Sequence, residues 1–303
     1  MDFTTRTGLT DPERWLIASD LHVILLDEIF IATKWTRAEG VFHGGTALHL
    51  ACDSPRLSED LDFMVAEHGL ARLASVASRV QGRARLRILE TTPGATLEFA
   101  TKDRGPGPDR LVTWDVRWKH PNRVGKVRVK LEFYAVRQDV LADYRARPEL
   151  RLPGLGQIRL TVEIPVPCLS AFWGDKVKAF ATRPGIKWRD VYDLGFISRQ
   201  FETNGRPDES ELLASLLTSA RIYGKAPGEI AECLSRRLAD GTFAEAKDFV
   251  ENMANWLAPD TFASICRNGT LLDLFKRAHQ EIEVGHRVLE TSRATPLSHG
   301  DQR

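Results

Sequence analysis

The sequence predicts an α/β protein: a mixed α/β half followed by an all-helical half. Three observations carry this. Lys126 to Val136 alternates apolar and polar residues with the period of a strand buried on one face. After Pro167 the apolar spacing becomes helical and stays so. Pro165 and Pro167 interrupt both patterns between the halves. The expected domains are therefore residues 1–165 and a helical domain over 166–290, with 291–303 (SRATPLSHGDQR at its core) as a disordered tail.

The elements follow in order. Thr10 and Glu13 have the spacing of a capping box, and Pro12 is tolerated in the first turn. Leu16, Ile17, Leu21, Ile24, Leu25 and Ile31 then recur at helical spacing to about Trp35. Val41 and Phe42 form a short strand, Gly44 and Gly45 a turn, and Thr46 to Ala51 a helix that Pro55 breaks. Leu61 to Val65 is a second strand and Leu70 to Val80 a helix with a modest apolar stripe. Strands are expected at Thr96–Thr101 and Leu111–Trp118, around the loop KDRGPGPD. In Lys126–Val136, Val127, Val129, Leu131, Phe133 and Ala135 share one face, and Arg128, Lys130, Glu132 and Tyr134 the other. Helices are expected near 168–182, 188–200, 209–220, 227–239, 242–257 and 270–290.

Composition excludes several classes. The 303 residues carry a net charge of +1 and are 43% hydrophobic, so a core is easily buried and no general basic footprint marks a nucleic-acid binder. A local basic patch is still compatible with that balance. No stretch reaches the roughly 18 consecutive apolar residues of a membrane span. The start, MDFTTRTGLTDPERW, lacks the order of a secretory signal. Cys52, Cys168, Cys233 and Cys266 lie far apart, which suggests neither a zinc site nor a disulfide framework. A cytoplasmic protein with reduced thiols is expected.

Candidate chemistry centres on Asp60 and Asp62. Strand alternation places both carboxylates on one face while Leu61 and Phe63 point to the other. Two such charges repel, and a divalent cation between them removes the conflict. Mg²⁺ prefers hard oxygen ligands and needs only one or two carboxylates beside substrate phosphates. A solvated strand edge is the plainer alternative. Gly44-Gly45-Thr46 lies upstream, between strand and helix, where backbone N–H groups can approach a phosphate. Thr46 either adds a hydroxyl to that phosphate or caps the helix. Glu132, on the polar strand face, is the candidate third carboxylate, or else pairs with Lys130 or Arg128. Lys176 falls on the same helical stripe as Leu169, Phe172, Trp173, Val177 and Phe180. It must find an anion, for which a nucleotide phosphate in the cleft between the two halves would serve and make Lys176 a nucleotide-binding residue, or snorkel to the stripe's edge. Asp193 orients Lys176 or binds substrate, or pairs with Arg189 four residues earlier, and Asp190 competes for the role. Arg56, Lys178, Arg183, Lys187 and Arg189 are mostly solvated charges by default, and the alternative is that several flank the cleft and meet the triphosphate or a polyanionic acceptor.

These residues together resemble the AbiEii-type, or MenT-like, nucleotidyltransferases of bacterial toxin–antitoxin systems, within the polymerase-β-like superfamily. The matching motifs are Gly44-Gly45-Thr46, Arg56-Leu57-Ser58-Glu59-Asp60-Leu61-Asp62, Glu132, Asp175-Lys176 and Arg189-Asp190-Val191-Tyr192-Asp193-Leu194. They cover roughly residues 40–200; the last hundred residues match only as generic helices. The resemblance implies a polymerase-β-like nucleotidyltransferase core with a mixed sheet, followed by a C-terminal helical bundle. It implies Asp60 and Asp62 as metal ligands, with Glu132 as the third, a position weakly defined in the family and here Glu rather than Asp. It implies Gly44, Gly45, Thr46 and Ser58 as nucleotide contacts, and Lys176 and Asp193 as further active-site residues. The implied cofactor is Mg²⁺, with Mn²⁺ as a substitute, and the substrate is an NTP such as ATP. The implied acceptor is the tRNA 3′ end, and the implied partner is an antitoxin. The rivals are the same chemistry on a small molecule such as an aminoglycoside, and a non-enzymatic binding protein on the same scaffold.

Overall fold

The computed structural model describes residues 7–105, 110–144, 158–240 and 246–294. The chain divides into two compact units, Met1–Pro167 and Cys168–Arg303.

The first unit holds β1 (Thr7–Gly8), α1 (Asp11–Thr33), β2 (Gly40–His43), α2 (Gly44–Cys52), β3 (Asp60–Ala66), α3 (Glu67–Thr91), β4 (Thr96–Asp103), β5 (Leu111–Lys119), β6 (Arg123–Val124), β7 (Val127–Val136) and α4 (Gln138–Asp143). Five strands make one mixed sheet in the order β2-β3-β7-β5-β4. β3 and β7 are parallel, and the other neighbours are antiparallel. A separate two-stranded sheet pairs β1 with β6.

Alternation divides this sheet cleanly. Leu61, Phe63, Val65, Leu131, Phe133, Trp114, Val116 and Trp118 are all at most 2% exposed on one face. Phe63 and Phe133 are paired in register and stack with centroids 4.8 Å apart. Phe30 of α1 lies 6.4 Å from Phe63, and Trp35 lies 6.3 Å from Phe133. The helices α1 and α3 therefore cover the apolar face, and the charged side chains line the other.

α1 begins as expected: Thr10 accepts from the Glu13 N–H and the Glu13 carboxylate accepts from the Thr10 N–H at 2.8 Å. Its middle has no simple apolar stripe, because Asp27 and Glu28 are fully buried. Arg83 donates to Glu28 at 2.6 Å, Arg87 to Asp27 at 2.5 Å, and the Thr161 N–H to Asp27 at 2.8 Å. These charge-assisted bonds tie α1 to α3. They also explain why α3 runs to Thr91 and not to Val80. Ala84 and Ile88 extend its buried stripe, with the interspersed arginines serving α1. The KDRGPGPD loop is described only through Gly105 and from Arg110; its remainder lies outside the described residues.

The second unit holds α5 (Leu169–Thr182), α6 (Trp188–Asn204), α7 (Glu209–Ile222), α8 (Pro227–Ala239), α9 (Lys247–Met253), α10 (Pro259–Arg267) and α11 (Thr270–Ala294). The helix expected near 242–257 is confined to α9 where described, and Pro259 opens a further helix that the spacing did not separate. The start of the expected tail, Thr291 to Ala294, is helical, and 295–303 lie outside the described residues. Glu281 of α11 is 2% exposed. It accepts from Trp173 Nε1 at 2.9 Å, Ser198 Oγ at 2.6 Å and both terminal nitrogens of Arg206. No described helix is long and apolar enough to cross a membrane.

Asp20 of α1 has a buried Oδ1 without a hydrogen-bond partner, and burial pushes its carboxyl up to about 6. A folded pKa above the ordinary 3.8 favours the neutral acid, so ionisation removes stability as pH rises through 6. Asp20→Asn is expected to stabilise the chain by about 1 kcal/mol at pH 7.5 and to give no gain below about pH 4. Urea melts of both proteins at the two pH values check this.

Candidate active site

The two glycines and the two aspartates, distant in the motif, are one local structure. β2 runs antiparallel to β3 and sets His43 opposite Asp62. The chain then turns at Gly44, whose φ is +83°, a left-handed conformation that favours glycine. A Cβ there would strike Asp62 Oδ2 and come within 3.1 Å of its Cβ and Cγ. At Gly45 a Cβ would strike Arg56 Nη2 and come within 3.0 Å of Ser58 Oγ. So the Gly-Gly turn lies directly against both ends of the Arg56–Asp62 segment. Its amides open α2, whose N-terminus carries a favourable dipole for anions.

Thr46 is completely buried, and its hydroxyl donates to the Asp60 carbonyl. It therefore ties α2 to β3. The cap position of α2 belongs to His43, which makes no side-chain cap, so neither expected role of Thr46 describes this contact. Arg56, expected to be solvated, is 2% exposed, and its Nη1 donates to the Leu57 carbonyl at 2.9 Å. Nearby, His22 Nε2 meets the Glu59 carbonyl at 3.2 Å, and burial holds His22 down to about 4. His49 meets the Ser54 carbonyl, and burial holds it below the ordinary imidazole range. The segment before Asp60 is thus fastened at several backbone carbonyls, an arrangement without a signal in the sequence.

Asp60 and Asp62 are half-buried and share the polar face of β3. The parallel register sets Lys130 beside Asp60 and Glu132 beside Asp62. Residues paired across a sheet share a face. However, the Glu132 carboxylate is ion-paired with Lys130, one pleat away on the same strand. Among the described residues no three His, Cys, Asp or Glu side chains form a metal-holding group. Asp60, Asp62 and Glu132 are thus adjacent in register, with the Glu132 carboxylate paired to Lys130. Arg128, the other candidate partner of Glu132, instead binds Asp115. Two carboxylates with phosphate oxygens still satisfy the ordinary ligand demand of Mg²⁺.

In the helical unit Lys176 lies 9% exposed on α5. Its Nζ is 2.6 Å from Asp193 Oδ2 and 3.0 Å from Asp190 Oδ1. Arg183 also pairs with Asp190. Lys176 thus finds its anions within its own unit and does not snorkel. Asp190 and Asp193 act together here, whereas Arg189 stacks over Trp256 at 5.0 Å. Lys178, expected to be solvated, is 7% exposed with Nζ 3.0 Å above the Tyr223 ring, and burial pushes it down to about 7.

Both aspartates are at most 2% exposed, so Lys176→Met leaves buried negative charge without its main cation. A loss of about 3 kcal/mol is expected in chemical denaturation. A loss below about 1 kcal/mol would mean that water replaces the lysine.

The sequence matches the family described as nucleotidyl transferase AbiEii toxin, type IV TA system, over residues 26–262. No curated protein matches the chain. Among solved structures, JHP933 from Helicobacter pylori is similar at 16% identity, over 95% of this chain and 97% of that one, with a TM-score of 0.51. MenT4, a nucleotidyltransferase toxin from Mycobacterium tuberculosis H37Rv, aligns at 17% identity over 93% of each chain, with a TM-score of 0.49. JHP933 supports the shared fold. The family match spans well over half of the sequence. The protein belongs to the AbiEii nucleotidyltransferase toxin family of type IV toxin–antitoxin systems.

Proposed function

We propose that this nucleotidyltransferase transfers a nucleotidyl group from an NTP to the 3′ end of a tRNA and thereby blocks aminoacylation. The single observation that carries the reading is the contact of Gly44 with Asp62 and of Gly45 with Arg56 and Ser58. It sets an anion-binding helix start against a carboxylate pair, which is the pairing a metal–triphosphate substrate requires.

In the proposed reaction the acceptor hydroxyl oxygen bonds to the α-phosphorus. The bond from that phosphorus to the bridging oxygen breaks, and pyrophosphate leaves with the electron pair. The Gly44–Thr46 amides bind phosphate oxygens, and Ser58 Oγ, beside Gly45, is a further donor. Asp60 and Asp62 would hold Mg²⁺, or Mn²⁺ in its place. When bound, the ion supplies charge neutralisation that lowers the cost of placing a triphosphate beside two carboxylates. Glu132, beside Asp62 in register and paired with Lys130, would take the acceptor proton. Lys176 and Asp193 are proposed as further residues on which transfer depends. An antitoxin is the proposed protein partner.

Asp60→Asn and Asp62→Asn should each lower transfer at least a thousandfold without lowering the melting temperature, since both side chains are half-buried on an open face. Labelled NTPs incubated with total tRNA, total protein and an aminoglycoside measure this and identify the acceptor. Full activity in either variant would remove the metal assignment, and label on a small molecule alone would remove tRNA.

A further inference from the structure

The polar face of the sheet carries a charge gradient. Its upper rows, through Asp62–Glu132 and Asp60–Lys130–Asp115, are acidic on β3 and mixed beyond it. The next row down the strands is Arg128–Arg117–Glu98. Lys119 follows on β5, and Lys126 just precedes β7. The far end of the face therefore holds four cations, Arg117, Lys119, Lys126 and Arg128, against two acids: Asp115 pairs with Arg117 and Arg128, and Glu98 with Lys119. Lys119, then Arg117 and Lys126, hold the Glu98 carboxyl below its ordinary range, so this acid stays ionised among them. These groups are open to solvent: the Arg128 side chain is 55% exposed, Lys119 48% and Arg117 43%. α1 and α3 occupy the opposite face.

Arg128 is four residues from Glu132 on one strand, or about 13 Å at roughly 3.3 Å per residue. That span equals about two phosphate repeats of an extended nucleic-acid strand. Between the two sits Lys130. A protein surface that only needed solubility would scatter its charges. Here cations gather at one end of a flat face whose other end is the carboxylate pair.

We infer that this basic end of the sheet is a binding track for the penultimate phosphates of a single-stranded RNA acceptor, whose terminal hydroxyl lies at the Asp60–Asp62 end. The inference rests on the transfer reading above, and it adds the surface that holds the acceptor. The occupant is RNA because evenly repeating negative charge matches a row of exposed cations. An acidic protein would match the charge equally but not the direction toward the carboxylates.

The test is equilibrium binding of a short fluorescent single-stranded RNA to the full chain, without NTP, over a range of salt. Three phosphate contacts would give a log–log salt slope near −2, from about −0.7 per phosphate. The variant Arg117→Gln/Lys119→Gln/Arg128→Gln is expected to bind about tenfold more weakly, with a slope reduced by about two. Because Asp115 loses two partners in that variant, Lys119→Gln/Lys126→Gln serves as a second, purely surface change and should lose about one unit of slope. NTP binding by calorimetry should be unchanged in both. Unchanged RNA affinity and slope in the surface variant would overturn the track. No RNA binding by the unaltered chain overturns the track even where transfer to another acceptor is observed; transfer itself is judged by the separate labelled-NTP assay.

Discussion

The parallel pairing of β3 with β7 is the constraint on which the rest depends. Phe63 stacks on Phe133 inside the sheet, and this fixes which residues stand beside each other outside it. Side chains alternate with a period of two, so a slip of one residue would turn Asp60 and Asp62 into the core and Phe63 into water. The desolvation of two carboxylates and the exposure of an aromatic side chain make that slip prohibitively costly. The same register sets Glu132 beside Asp62 and begins the row of charges that leads away along β7. The aromatic core thus decides the address of every polar group on the open face.

Around that register, charge is buried where geometry must be held. Asp27 and Glu28 fix α1 to α3 through arginines, and Glu281 joins α5, α6 and α11. Lys176 is gripped by Asp190 and Asp193. Each cluster is a partnered one, as burial demands, and each would be costly to break on one side only. Such clusters add little net stability, but they admit few alternative packings. Arg56 has the same character at the candidate active site, where it fills the space that Gly45 leaves open.

Much of the fold was legible in the sequence because its signals are local. The Thr10–Glu13 spacing marks the start of α1, and the alternation in β7 marks both faces of the sheet. Proline and glycine positions bound β2, α2 and β3. What escaped detection depends on distant partners. α1 carries acids in its buried middle because arginines on α3 meet them, and the arginines in turn disguise the second half of α3. The pairing of β1 with β6 involves two residues on each side, too few for any periodic pattern. At the candidate site, the adjacency of Gly44 and Asp62 follows from motif order, but the tie from Thr46 to the Asp60 carbonyl and the grip of Lys130 on Glu132 do not. Lys178 and Arg56 carry charges that hydropathy places in water, yet the fold gives one an aromatic face and the other a backbone carbonyl.

The central claim is that Asp60 and Asp62 together receive the metal of a metal–nucleotide substrate. Anomalous diffraction from crystals grown with Mn²⁺ and a non-hydrolysable NTP analogue tests it most directly. The account predicts a manganese peak about 2.1–2.3 Å from an oxygen of each aspartate, with nucleotide phosphate oxygens completing its shell. Nucleotide bound elsewhere, or manganese held without either aspartate, would contradict it.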